Sequence, residues 1–179
     1  MEQPNSITTA LGNQFESCMI MMQTLINVIP PEVWNERYND VPVWHQVYHV
    51  VFFIDHWFRD FYVRGRKDHL VGSFDERITP ELDAELPDGV CISQEEMREY
   101  LKRIHQKVTH VFDNMEDEKL GQPIIAGGSR DYTHMDVITG QIRHIMYNIG
   151  YLNGLLRERS LEEADWYSYN EGERVLFQA

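Results

Sequence analysis

Apolar residues recur at helical spacing in four long stretches of the chain. Within each stretch they lie three or four positions apart, which places them on one face of a helix. The spacing predicts helices over about Ser6–Val28, from near Asp40 to about Val63, over Ser93–Asn114 and over Thr133–Arg159. Pro30 and Pro31 end the first helix, because proline lacks the amide hydrogen that a helix interior needs. Ser93 and Thr133 are residue types that cap helix starts, and Asp40 is a candidate cap for the second helix.

Long connections separate the last three predicted helices, over residues 64–92 and 121–132. Glycine and proline interrupt both segments, so neither sustains a helical period. Within the first, Thr79-Pro80-Glu81-Leu82 predicts one short helical turn. Connections of this length in a compact domain are usually functional, often as a lid or pocket wall. We therefore expect both segments to close over a site.

The pattern as a whole predicts an all-α fold, a four-helix bundle with long connections. A single domain accounts for residues 1–179, with the core over about 6–159 and an acidic, aromatic C-terminal tail over 160–179. Ligand and metal sites in such bundles are built from the side chains of facing helices. Candidate chemistry is therefore to be sought where two helices face each other.

The second predicted helix is apolar on nearly all sides, which is typical of a helix that contacts several neighbours. His45, His49 and His56 are set into this surface, close to one line along the helix. Asp55 lies in the same apolar surroundings, where a carboxylate is costly unless it is paired. Arg143 is one candidate partner, and exposure at the rim of the bundle is the other interpretation.

Composition narrows the classes of partner. The formal net charge of −13 argues against nucleic acid or an anionic membrane as the main partner. No run of about 18 apolar residues is present, which argues against a transmembrane helix. Two cysteines, Cys18 and Cys91, do not make a disulfide framework, so we expect a cytoplasmic protein with reduced thiols.

The fourth predicted helix carries the main candidate chemistry. His144 and Asn148 lie one helical turn apart, so their side chains are neighbours. Two such side chains can hold one metal ion if a third ligand arrives from elsewhere, and His49 is the candidate. Imidazole ligands with open positions suit Zn²⁺ or Ni²⁺. The other interpretation is that all three residues are hydrogen-bonded members of the core.

Two motifs resemble those of a known family. The stretch Trp44-His45-Gln46-Val47-Tyr48-His49-Val50-Val51-Phe52-Phe53-Ile54-Asp55 resembles the helix-two motif of the DinB-like (DinB/YfiT) superfamily. The stretch Gln141-Ile142-Arg143-His144-Ile145-Met146-Tyr147-Asn148-Ile149-Gly150-Tyr151-Leu152 resembles its helix-four motif, a His-x-x-x-His followed by one residue and Gly. The resemblance covers about residues 6–159. It implies a bundle, commonly a homodimer, with a divalent metal held by one histidine of helix two and two of helix four.

Carried over by position, His49 matches the first metal ligand and His144 the second, while Asn148 stands where the family has its third histidine. An amide oxygen is a weaker ligand than imidazole. The resemblance implies a metal-dependent enzyme acting on a small molecule, with thiol-dependent transferases and isomerases that use low-molecular-weight thiols among its relatives. The alternative is a non-catalytic binding or dimerisation bundle with a degenerate metal site. With asparagine at position 148, three outcomes are open: a weak metal site with Asn148 as a ligand, a site completed by another residue, or a site without metal.

Overall fold

The computed structural model describes residues 6–58, 70–124 and 132–168, and it is predominantly helical. Long helices are α1 (Ser6–Val28), α3 (Val43–Trp57), α4 (Gln94–Asp113) and α5 (His134–Glu158), and α2 (Pro31–Trp34) is short. A 3₁₀ turn spans Asp117–Lys119. Strands β1 (Arg37–Tyr38) and β2 (Val41–Pro42) form a small antiparallel hairpin, with Arg37 opposite Pro42. The all-α character expected from the sequence is confirmed.

The long helices pack around one apolar core. α1 packs against α4 and α5, and α3 packs against the same two helices. Each of the four contributes fully buried side chains, for example Met19, Val47, Leu101 and Ile145. Within the described ranges, no helix combines the length and apolar composition that crossing a bilayer requires. The packing of α3 on α5 brings together the two stretches that carry the candidate chemistry.

Two helix starts follow the predicted caps. The Ser93 hydroxyl accepts from the Glu96 amide at 3.2 Å, and the Glu96 carboxylate accepts from the Ser93 amide at 2.8 Å. Thr133 and Asp136 make the equivalent reciprocal pair at 3.1 and 3.0 Å. Each capping box satisfies amide groups that the first helical turn leaves without partners. The starts of α4 and α5 are therefore set locally.

The predicted start and end of the second long helix are wrong. Asp40 does not cap it, because Asn39 and Asp40 have φ values of 48° and 64° and form the tight turn between β1 and β2. α3 begins at Val43 and ends at Trp57, where Phe58 takes a ψ of 69° and leaves the helical path. Phe58 is buried against Phe15, with ring centroids 4.8 Å apart. Residues 59–63 of the predicted helix lie outside the described residues.

The connection before α4 has turns in place of the predicted helix. Residues 79–82 form no helical turn. The carbonyl oxygens of Thr79 and Pro80 instead face the imidazoles of His45 and His49, at 2.7 and 2.8 Å. A helical turn would direct those carbonyls along its own axis, so the contacts to α3 replace it. This part of the connection does lie against the candidate site, whereas residues 64–69 and 125–131 are outside the described ranges.

The start of the C-terminal tail packs on α5. The Asn153 side chain donates to the carbonyl of Ala164 at 2.8 Å and accepts from its amide at 3.0 Å. Ala164 is buried, and Arg157 forms an ion pair with Glu163 at 2.6 Å. Residues 160–168 thus belong to the body of the protein, and 169–179 lie outside the described residues.

Candidate metal centre

The two histidines predicted as metal ligands meet between α3 and α5. The Nε2 atoms of His49 and His144 are 3.1 Å apart, although the residues are 95 positions apart in the chain. Both side chains are half-buried. Phe53, one turn after His49, packs its ring edge against both imidazoles at centroid distances of 4.9 and 5.9 Å. The pair therefore lies at the edge of an aromatic layer and is partly open to solvent.

A backbone carbonyl fixes the orientation of His49. Its Nδ1 lies 2.8 Å from the carbonyl oxygen of Pro80. Because a carbonyl only accepts, Nδ1 carries the proton, and in the neutral ring Nε2 holds a free electron pair. This Nε2 lies 3.1 Å from the Nε2 of His144. A second-layer carbonyl that sets the tautomer in this way is typical of metal-binding histidines.

His144 is kept neutral by its surroundings. Burial, and to a smaller extent the neighbouring His49, together lower the pKa of His144 to about 4. Its Nδ1 is buried and has no hydrogen-bond partner within the described residues. In the absence of an ion, the Nε2–H of His144 donates to His49, because only one of the two facing nitrogens can carry the proton. The lowered pKa thus keeps the His144 ring in the neutral state that metal binding needs at neutral pH.

The spacing of the pair fits two ligands of one ion. Zinc–imidazole bonds are about 2.0–2.1 Å long. With the observed 3.1 Å between the two Nε2 atoms, those bonds give an N–metal–N angle of about 95–100°. This angle lies between the octahedral and tetrahedral values. The separation of the two Nε2 atoms is therefore compatible with both nitrogens binding one divalent ion.

Asn148 lies beside the pair in a different role from that of an imidazole. It is 8% exposed, and its Nδ2 donates to the backbone carbonyl of His144 at 2.9 Å. This hydrogen bond holds the Asn148 side chain against the preceding turn of α5. The amide oxygen Oδ1 is the atom of this side chain that could bind a metal. Within the described ranges, no cluster of three or more His, Cys, Asp or Glu side chains could hold a metal. Any third protein ligand from these ranges would therefore be of another type, such as an amide oxygen.

Three other histidines of the described ranges make contacts away from the pair. His45, one turn before His49, is buried and its Nε2 contacts the Thr79 carbonyl at 2.7 Å. His56 stacks on Phe52 with centroids 5.9 Å apart. His105 pairs with Glu16 at 2.7 Å, between α1 and α4. These contacts favour structural roles for all three, and His69 lies outside the described residues.

Asp55 pairs with Lys107, in place of the arginine or the exposure at the rim that the sequence analysis considered. Its carboxylate is fully buried and accepts from the Lys107 ammonium at 2.5 Å and the Tyr100 hydroxyl at 2.8 Å. The amides of Val71 and Gly72 also donate to it, at 2.9 and 3.2 Å. Arg143, the candidate from sequence, is exposed. Burial lowers the pKa of the Lys107 ammonium below its ordinary value, and the adjacent Asp55 carboxylate offsets part of this effect.

The sequence did contain a signal for this cluster. Lys107 lies three positions after Ile104 and four before Val111, so it falls on the apolar face of α4. A lysine on that face needs a buried acceptor. Gly72 passes directly over the Tyr100 ring, where an added Cβ would overlap it. The cluster therefore holds the start of the described 70–92 connection against α3 and α4.

Two comparisons with known proteins find no match. A scan against protein-family models matches no family. A search of curated proteins finds no similar sequence. A functional assignment must therefore be argued from the histidine pair and its surroundings.

The metal-free protein should lose stability as pH falls from about 6.5 towards 4. The folded state depresses the pKa of His144 to about 4, so the unfolded chain binds its proton first. Stability therefore falls with pH in this window, by about 1–2 kcal/mol after allowance for solvent screening. Burial also lowers the pKa of His45, which acts in the same direction.

Urea unfolding of chelator-treated protein at several pH values measures how the free energy of unfolding changes with pH. His144→Gln should reduce this pH dependence. An unchanged pH dependence would contradict its assignment to His144.

Proposed function

We propose that this protein is a DinB-like helical bundle with a divalent metal at the His49–His144 pair. Two features support the family assignment. The histidines occur in the order and helices that the resemblance implies, and α1 and α3 each pack against both α4 and α5, as in a four-helix bundle. The observation that carries the metal assignment is the 3.1 Å separation of the two Nε2 atoms.

In this proposal the chain's own residues prepare the site. His49 and His144 supply two neutral imidazoles, and the Pro80 carbonyl holds the first in its metal-binding tautomer. Asn148 contributes its amide oxygen as a third, weaker ligand. Phe53 shields one side of the pair from water. Zn²⁺ and Ni²⁺ suit this ligand set.

The proposed activity is that of a metal-dependent enzyme, of the thiol-dependent transferase or isomerase type, acting on a small molecule. The bound ion would act as a Lewis acid that activates a low-molecular-weight thiol or a water molecule. Cys18 and Cys91 are free thiols, which fits the cytoplasmic location that we propose. The homodimer implied by the family resemblance is part of the same proposal.

A non-catalytic binding or dimerisation bundle is the second candidate. The observation that favours it is at His144, whose buried Nδ1 has no described partner, whereas metal-binding histidines usually donate from that nitrogen. Asn148 also bonds to its own helix backbone. In this case His144 donates to His49, and the pair is a hydrogen-bonded contact between α3 and α5.

Metal content separates the two candidates. Protein purified without a histidine tag should carry about one divalent ion per chain by elemental analysis, and Zn²⁺ or Ni²⁺ should raise the Tm of chelator-treated protein. His49→Ala and His144→Ala should each weaken binding by at least about 10–100-fold, because each removes an imidazole ligand. His110→Ala removes an exposed imidazole and is the control. If the natural chain carries no ion and neither metal changes its Tm, the second candidate replaces the first.

A further inference from the structure

Gln141 is a buried polar residue without an assigned role. It lies on α5, is 7% exposed, and its Oε1 has no hydrogen-bond partner within the described residues. An unpaired buried acceptor destabilises a folded protein, and such groups are rare unless a water, an ion or a function accounts for them. Methionine would fill the same volume without that penalty. A glutamine at this position is therefore best explained by a group that binds its Oε1 and that the described residues do not include.

The helix register places Gln141 beside the histidine pair. It precedes His144 by three positions and Asn148 by seven, so all three side chains lie on one side of α5. Helical side chains lean towards the N-terminus, so the His144 ring lies over the turn that begins at Gln141. Asn148 follows the same rule, since its amide reaches back to the His144 carbonyl at 2.9 Å. Two amides thus flank His144, one on each side along the helix.

We infer that Gln141 supplies its amide oxygen to the ion held by His49 and His144, either as a ligand or by accepting from water bound to that ion. The inference rests on the proposed function. It gives the buried Oε1 the partner that the described residues do not supply. It also supplies an oxygen where Asn148 is a weak substitute for imidazole.

Isosteric replacement tests the role of Gln141. Gln141→Met should weaken Zn²⁺ and Ni²⁺ binding about tenfold or more in competition titrations, and should alter the visible absorption of the Co²⁺-loaded protein. The Tm of its metal-free form should be equal to or above that of the natural chain, because an unpaired acceptor is removed. Gln141→Glu should tighten binding, because it adds an anionic oxygen. Gln106→Met, at an exposed position of α4, should change neither property.

The outcomes separate this inference from the proposed function. Loss of affinity in Gln141→Met with a retained metal-free Tm supports the inference. Equal affinities for Gln141→Met, Gln141→Glu and the natural chain, with loss in His144→Ala, overturn the role of Gln141 and leave the metal site standing. If the natural chain binds neither Zn²⁺ nor Ni²⁺, the metal function fails, and the role of Gln141 fails with it.

Discussion

Asp55→Leu is expected to lower the free energy of unfolding by about 3–5 kcal/mol. The change leaves Lys107, with 16% of its side chain exposed, without the carboxylate that lies 2.5 Å from its ammonium. It also removes the acceptor of the Tyr100 hydroxyl and of the Val71 and Gly72 amides. Each donor left buried without a partner adds a desolvation penalty. Urea unfolding at neutral pH measures the loss.

Two further variants show whether the ion pair causes this loss. Lys107→Met should be destabilising on its own, because the Asp55 carboxylate stays fully buried. The double variant Asp55→Leu with Lys107→Met should be more stable than additive losses predict, since neither buried charge remains. Asp75→Ala breaks an exposed ion pair with Arg77 and should have little effect. Additive losses in the double variant would show that the pair is not coupled.

Asn148→His is expected to tighten binding of Zn²⁺ or Ni²⁺ by about 10–100-fold or more. It places a second imidazole one turn after His144, the i, i+4 spacing at which two histidines of one helix hold an ion. The Nε2 pair of His49 and His144 already has a separation that suits two ligands. Competition titration of chelator-treated protein gives the ratio of dissociation constants.

Asn148→Leu is the matched control for Asn148→His. It keeps a similar volume at this 8% exposed position and removes the amide oxygen. If Asn148 is a ligand in the natural chain, this variant should bind metal less tightly than the natural protein. If Asn148→His folds and binds no more tightly, position 148 does not face the ion, and the positional match to the family would fail there.

Local patterns predicted most of the helical structure. α1 runs over the predicted Ser6–Val28, and the capping boxes at Ser93 and Thr133 set the starts of α4 and α5. These features depend on residues within one or two helical turns, so the sequence contains their determinants. The end of α3 was missed because its apolar residues continue beyond Trp57 on all sides, which hides a helix end from periodicity.

For the candidate site, the sequence predicted the residues but not the contacts that orient them. His49, His144 and Asn148 could be selected from their spacing and from the resemblance of their motifs. The contacts that orient them could not, because Pro80 is 31 positions from His49 and its segment has no regular pattern. Gln141 was not selected for chemistry, although an amide on the buried side of α5 was visible in the sequence. Its significance depends on the absence of a partner within the described residues.

The sequence by itself determined the helical character, two helix starts and the residues from which a metal site could be built. Those properties follow from local periodicity, capping and side-chain chemistry. Only the tertiary structure decided that His49 and His144 face each other at 3.1 Å, that Asp55 pairs with Lys107, and that Asn148 bonds to its own helix. The physical reason is that the packing of α3 on α4 and α5 sets these distances, and packing depends on the whole core.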